Sequence, residues 1–284
     1  MWTKVLLIAI GIAGLGIIVV LINELRLERA HARLVTELLS DREARPPQVF
    51  QPEVLEDLPA PVQRYLRKAI PDGQPYVKVV RLRQTGEFRL GDRTSPWKPF
   101  SAEQTFTTTP PGFVWDASIK MAPLVPVRVV DMYKSGQGAL QARILSTLAV
   151  ADARGAPELD EGELMRYLGE SAWFPTALLP GQGVTWTAID DRSARATIEH
   201  GGTRASLIFT FNARDEVESI HAPGRARQVN SGYEPTPWTG YWRNYQERNG
   251  MLIPTQGEVA WNLPDGDLTY WRAHLEAIDY ETAE

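Results

Sequence analysis

The sequence predicts an α+β protein, mostly antiparallel β: a curved sheet with a central plug helix, preceded by one N-terminal transmembrane helix and a helical stalk. Three observations carry this. Residues 5–22 contain no charge. From Val80 onward, apolar and polar residues alternate with period two, the pattern of half-buried strands. A single well-signalled soluble helix, within residues 160–180, interrupts those strands. The expected organisation is an anchor at 1–23, a stalk and linker at 24–56, and one β-rich domain at 57–284.

Composition narrows the chemistry. The 284 residues leave enough chain after the anchor for one large core. With 30 Lys and Arg against 35 Asp and Glu, no broad basic face for nucleic acid is implied. The absence of cysteine removes disulfides, thiolate metal sites and cysteine nucleophiles. Nine tryptophans are many for this length, and aromatics on that scale fill wide cores or line apolar pockets.

As a helix, residues 5–22 would extend about 27 Å, close to the thickness of a bilayer's hydrocarbon core. Gly11, Gly14 and Gly16 have the wrong spacing for a nucleotide loop and suit a lipid-embedded helix better. The small-x-small triplet Ala30-His31-Ala32 lies well past the apolar run, behind Glu24, Arg26, Glu28 and Arg29, so an uncleaved single-pass anchor is expected. Beyond it, Leu27, His31, Leu34 and Leu38 form a seven-residue seam along a stalk, with weak self-association as one use for it. Orientation cues conflict. Arg26, Arg29 and Arg33 outweigh Lys4 and would place the large domain in the cytoplasm, whereas the short tail before the apolar run has the form of an export signal-anchor. The expectation is a cell-membrane protein with its domain outside the cytoplasm.

In the domain, Pro46-Pro47 ends the stalk, and residues 59–69 form a short helix with Val62, Tyr65, Leu66 and Ala69 on one face. Alternation then predicts five antiparallel strands in a meander, around residues 80–90, 100–106, 113–119, 127–133 and 140–144. Gln104 and Asp131 break the apolar face, which calls for a partly wet cavity or for backbone partners. Strands resume at 184–188, 194–198, 205–211 and 217–221. Residues 224–239 read as a proline-bearing loop, followed by strands at 241–247, 252–263 and 268–278.

In the central helix, Asp160 is the expected N-cap, with Glu163 at N3. Leu164, Met165, Leu168 and Ala172 share one face, and Glu163, Arg166 and Glu170 lie opposite. That charged strip is either a solvated row or the polar rim of a pocket floored by Trp173, Phe174 and Leu178. Neither a metal nor a cofactor is implied: His200, His221 and His274 are scattered, and no G-x-S-x-G or P-loop is present. Carboxylate chemistry stays open if Asp116, Asp131, Glu163 and Glu170 converge in space.

Six stretches carry a resemblance: LP-x-PVQRYL at 58–66, GFVWDA at 112–117, VVDMY-x-x-GQG at 129–138, ELMRYLGESAWFPTALLP at 163–180, PW-x-GYW at 237–242 and IPTQGEVAW at 253–261. Together they resemble an uncharacterised bacterial family of membrane-anchored domains, the DUF6544/DUF6920 type. The resemblance implies no activity and carries over no catalytic residue. By fold-level analogy it implies a half-barrel with a helical plug, as in lipoprotein-localisation carriers. The expected function is a membrane-anchored module holding an apolar or amphiphilic, lipid-like ligand on an aromatic-rich concave face. Its candidate lining is Gln104, Trp115, Asp131, Arg166, Glu170, Trp173, Phe174 and Trp242. The alternatives are a carboxylate-based hydrolase and a structural envelope protein.

Overall fold

The computed structural model describes residues 2–43, 46–229 and 232–282, apart from the side chains at 8, 9, 12 and 13. Helix α1 (Trp2–Ser40) is followed by a short 3-10 turn and by α2 (Ala60–Ala69). Period-two alternation then gives six strands: β1 (Val77–Arg89), β2 (Trp97–Thr108), β3 (Pro111–Ala122), β4 (Val125–Lys134), β5 (Gln137–Ile144) and β6 (Leu148–Arg154). After α3 (Pro157–Glu170) and two 3-10 turns come β7 (Val184–Asp190), β8 (Ser193–His200), β9 (Thr203–Phe211), β10 (Val217–Val229), β11 (Gly232–Arg248), β12 (Met251–Leu263) and β13 (Gly266–Thr282).

All thirteen strands belong to one antiparallel sheet, in the order β6-β5-β4-β3-β2-β1-β13-β12-β11-β10-β9-β8-β7. Two meanders are therefore joined along β1 and β13, where Val80 pairs with Tyr280 and Leu82 with Ile278. The outermost strands, β6 and β7, are neighbours in sequence, and α3 is the segment between them. The sheet curls into a half-barrel around that helix. Its twist brings the β4–β5 turn onto the β8–β9 turn, where a Cβ on Gly201 would lie 2.3 Å from Gly136 Cα. Beside this contact the Tyr133 hydroxyl donates to the His200 carbonyl at 3.2 Å and lies 3.1 Å from its Nδ1.

One end of the half-barrel is closed by α2. Its predicted face, Val62, Tyr65, Leu66 and Ala69, is buried, and the Tyr65 ring centroid lies 5.5 Å from that of Phe211. Arg64 reaches Asp215 at 2.8 Å and Lys68 reaches Glu216 at 3.2 Å, which ties the helix to the β9–β10 turn.

Four expectations are corrected. The region expected as a helical stalk does not stand away from the domain, because α1 runs along the convex face of the sheet. Leu38 is buried against Gly112, Lys134 reaches Glu37 at 2.6 Å, and Arg128 reaches Glu24 at 2.7 Å. The seam Leu27, His31, Leu34 and Leu38 is the docked face of the helix: Leu38 is buried and the other three are half-buried. The first meander has six strands rather than five. Residues 224–239, expected as a loop, lie mostly in the paired β10 and β11. A bulge between Ala222 and Arg225 takes up Pro223, so the ladder resumes with Arg225 opposite Thr236. Finally, α3 begins at Pro157 with Ala156 as N-cap, so Asp160 lies in the first turn and accepts the Gly138 N–H at 2.7 Å instead of capping. Among the described residues, no helix is long and apolar enough to cross a membrane. The span expected at 5–22 includes the four positions whose side chains lie outside the described residues.

Gly201 has φ +60° as well as this close backbone neighbour, so a side chain there must part the two turns. Gly201→Ala is expected to lower stability by about 1–3 kcal/mol, read from the urea unfolding midpoint. An unchanged midpoint would mean that the turns do not hold the half-barrel closed.

Candidate functional site

A helix lying on an open sheet keeps one wet face, but α3 is wrapped by a curling sheet. Leu164, Met165, Tyr167 and Leu168 are buried, as expected, yet so are Glu163 at 5% exposure and Glu170 at 9%. The strip that a helical wheel allows to be solvated thus faces the interior, where each charge needs a partner.

Arg166 supplies it. Its Nε donates to Glu170 Oε1 at 2.9 Å and its Nη1 to Asp131 Oδ2 at 2.5 Å, while Glu163 Oε2 lies 4.0 Å away. The guanidinium carbon is 4.9 Å from the Phe113 ring centroid and 5.0 Å from that of Trp115, a favourable cation–π geometry. Glu170 Oε2 accepts Gln104 Nε2 at 2.8 Å, and Gln104 Oε1 accepts Gln84 Nε2 at 3.0 Å. The two polar residues that interrupt the apolar alternation, Gln104 and Asp131, are therefore partnered by side chains rather than by backbone, Asp131 through Oδ2 alone. They link β1, β2 and β4 to the plug helix.

The charges are unevenly matched. Asp131, Glu163 and Glu170 surround Arg166, with Arg225 close enough to donate to the Gly162 carbonyl at 3.1 Å. Burial, reinforced by the Asp131 carboxylate, pushes Glu163 up to about 8, against the pull of Arg166 and Arg225. Burial also raises Asp131, although Arg166 draws it back down. Burial opposes the charge on Arg166, but Glu170, Asp131 and Glu163 outweigh it and hold the guanidinium above its ordinary value. Burial and mutual repulsion thus favour a proton held among these carboxylates.

The remaining predicted site residues divide between the core and the cluster. Trp173 and Phe174 are buried plug residues. Trp173 packs edge-on against Trp242 with centroids 4.9 Å apart, and Phe174 lies 4.8 Å from Phe106. Trp115 is buried beneath Arg166. Of the four carboxylates considered for convergence, Asp131, Glu163 and Glu170 meet at Arg166, but Asp116 does not. Trp115 pairs with Asp131 across the β3–β4 ladder, so Asp116, one residue along, points to the convex side. There it takes Arg128 through two contacts of 2.5 and 2.6 Å and lies 3.1 Å from His31 Nδ1.

A second aromatic group lay outside the sequence expectations. Trp238 Nε1 donates to the Tyr270 hydroxyl at 3.0 Å, Trp261 stacks on Tyr270 at 5.9 Å and 18°, and Phe88 meets Tyr270 edge-on at 6.0 Å. Arg225 lies over Trp238 at 4.9 Å and over Trp261 at 5.9 Å. Phe88, Trp261, Tyr270 and Arg225 are half-buried. A register shift between Val259 and Ala260 brings Tyr270 into this group beside Trp271, a bulge that alternation alone does not reveal. Several buried polar atoms on the concave side have no hydrogen-bond partner among the described residues: Nε1 of Trp115, Trp173 and Trp242, Asp131 Oδ1 and Glu163 Oε2. Among the described residues, no group of His, Cys, Asp or Glu is arranged to hold a metal ion.

The architecture is thus a curled antiparallel half-barrel closed by a plug helix. The chain belongs to the DUF6920 family of unknown function, whose profile matches residues 56–280. No curated protein matches it. Among solved structures it is similar to a LolA superfamily protein from Nitrosomonas europaea, with 9% identity, a TM-score of 0.41, and coverage of 79% of this chain and 93% of that one. It is also similar to a β-barrel-like protein of the domain of unknown function DUF1849 from Brucella abortus, with 8% identity, a TM-score of 0.23, and coverage of 72% and 99%.

The cluster gives two predictions. Removing the cation in Arg166→Met leaves three crowded buried carboxylates and is expected to cost about 3–5 kcal/mol in a urea titration at pH 8, with a smaller loss at pH 5. Because the folded-state pKa of Glu163 (about 8) lies above its ordinary 4.5, folding takes up a proton between those values. This contribution is complete below pH 4.5 and is lost as pH rises through 8, with a slope approaching roughly 1.4 kcal/mol per pH unit. Glu163→Gln should flatten that decline and be more stable than the parent at pH 9, as measured by thermal unfolding at pH 5, 7 and 9.

Proposed function

We propose that the protein is a membrane-anchored binding module that takes an apolar or amphiphilic, lipid-like ligand on the aromatic group of Phe88, Trp238, Trp261 and Tyr270. The observation that carries this reading is the position and incomplete burial of these rings. They lie near the end of β1, the end of β12 and the start of β13, at the edge of the half-barrel opposite the one closed by α2. Phe88, Trp261 and Tyr270 are each only half-buried. Arg225, lying over two of the rings, is placed to meet a polar or acidic head group while chain or ring carbons lie on the aromatics.

In this reading Gln104, Asp131, Arg166 and Glu170 hold the plug helix in place, and Trp173 and Phe174 fill the core beneath it. The carboxylate-hydrolase alternative is disfavoured, because Asp131 and Glu170 are both engaged by Arg166. The anchor is the first half of α1. Its sequence at 5–22 is uncharged, and Val5, Leu6, Leu7, Ile10, Leu15, Ile17, Ile18, Leu21 and Ile22 present bare apolar side chains.

The test is energy transfer from tryptophan to a dansyl-labelled fatty acid titrated into the full chain in detergent. Saturable binding is expected. The double variant Trp261→Ala, Tyr270→Ala should weaken it by at least about tenfold, or roughly 1.4 kcal/mol. Equal affinity of parent and variant would move the ligand elsewhere, and no saturable transfer would remove the proposal.

A further inference from the structure

The turn joining β5 and β6 is bound to α1 where the helix's uncharged run ends. Asn23 Nδ2 donates to Thr147 Oγ1 at 3.2 Å, Glu24 accepts the Ser146 hydroxyl, and Glu24 also takes Arg128 at 2.7 Å. Toward the N-terminus from this polar clasp, the contact turns apolar. Leu15, Gly16, Val19 and Val20 of the helix and Ile144, Leu145 and Leu148 of the turn line a groove of about 530 Å3. The turn therefore lies level with helix positions inside the 5–22 run.

The neighbouring β3–β4 turn lies beside it, with the Leu145 N–H donating to the Pro126 carbonyl at 3.0 Å. At its tip Leu124 is 93% exposed, and on the β6 side Leu148 and Val150 are 62% and 51% exposed. The backbone makes these leucines more conspicuous. Leu124 has φ +62° and Leu145 φ +49°, the left-handed conformation that glycine or asparagine ordinarily takes. Water disfavours an apolar side chain at a bare turn tip, a cost that an apolar medium removes, while the left-handed backbone costs the same in either medium. Just behind the tips, Lys120 on β3 and Arg26 and Arg29 on α1 are exposed cations.

The geometry points to the β3–β4 and β5–β6 turns as a second membrane contact of the domain: Leu124, Leu148 and Val150 enter the acyl region of a phospholipid bilayer alongside α1, with Lys120, Arg26 and Arg29 at its anionic head groups. From Leu15 to Ile22 the helix rises about 10 Å, which matches the 5–10 Å to which interfacial apolar groups typically sink. The inference rests on reading α1 as the anchor. It adds that the domain lies against the bilayer, with the end of the sheet where β1, β3, β5 and β12 terminate turned toward it. The proposed aromatic site is at that same end, so a lipid would reach it from the membrane.

The chain has no cysteine, so single labels are direct. Full-length protein carrying Leu124→Cys, Leu148→Cys, Leu15→Cys or Asp72→Cys, each labelled with a nitrobenzoxadiazole dye, is reconstituted in phosphatidylcholine–phosphatidylglycerol vesicles with or without acyl-chain-brominated lipid. The dyes at 124, 148 and 15 are expected to emit blue-shifted light and to lose most of it to bromine, whereas the dye at 72, in the turn after α2, stays aqueous and unquenched. Quenching at 15 with none at 124 and 148 would overturn the inference and leave the anchor standing. An unquenched dye at 15 would overturn both.

Discussion

Arg166 is a cation in a place that tolerates a cation only when it is surrounded. A plug helix inside a curled sheet has no wet side, so its polar residues have to find partners from the strands. The guanidinium meets that constraint from one position: it bonds Asp131 on β4 and Glu170 one helical turn away, and it lies over two aromatic rings of β3. Through Glu170 the network continues to Gln104 on β2 and Gln84 on β1. Apolar packing alone would let a helix slide or rotate within a wide aromatic cavity. A buried, directional charge network fixes its register, a specificity role that buried ion pairs serve in other folds.

The same constraint separates the core residues after the plug helix from the half-buried aromatic group. Trp173 and Phe174 lie directly after the helix and are carried into the core with it. Phe88, Trp261 and Tyr270 are far from the plug in sequence, and they remain half-buried at the end of the sheet that, among the described residues, α2 does not cover. Arg225 couples the two regions, touching the helix through the Gly162 carbonyl and the aromatic group through Trp238 and Trp261.

Much of the fold was legible because alternation depends only on neighbours in sequence. The concave faces of the first meander, the buried face of α2 and the oddity of Gln104 and Asp131 all follow from counting in twos or in turns of helix. What escaped depends on distant residues. A helical wheel separates Glu163, Arg166 and Glu170 from Leu164 and Leu168, but it does not say that a sheet will wrap both faces. The heptad seam from Leu27 to Leu38 marks a face that wants a partner, but does not reveal that β3 is that partner. Pro223, Pro235 and Pro237 suggest a loop when read singly, yet a bulge accommodates the first of them and the ladder resumes beyond it. The half-buried aromatic group was hidden in the same way, since Arg225 lay in the supposed loop and Tyr270 beside an unseen bulge. Asp116 was grouped with the concave acids, although parity with Trp115 sends it to the other face.

The sheet order also bears on how the chain is made. Val80, near the start of the domain, has as its partner Tyr280, near the end of the described chain, and this ladder lies in the middle of the sheet rather than at a margin. During synthesis the first meander emerges with β1 unpaired on its inner side and must wait for the last strand before the two halves can join. Closing contacts so distant in sequence is slow, and the waiting strand edges are prone to aggregate. Loss of the final strand would therefore leave two separate sheets instead of one with a frayed margin.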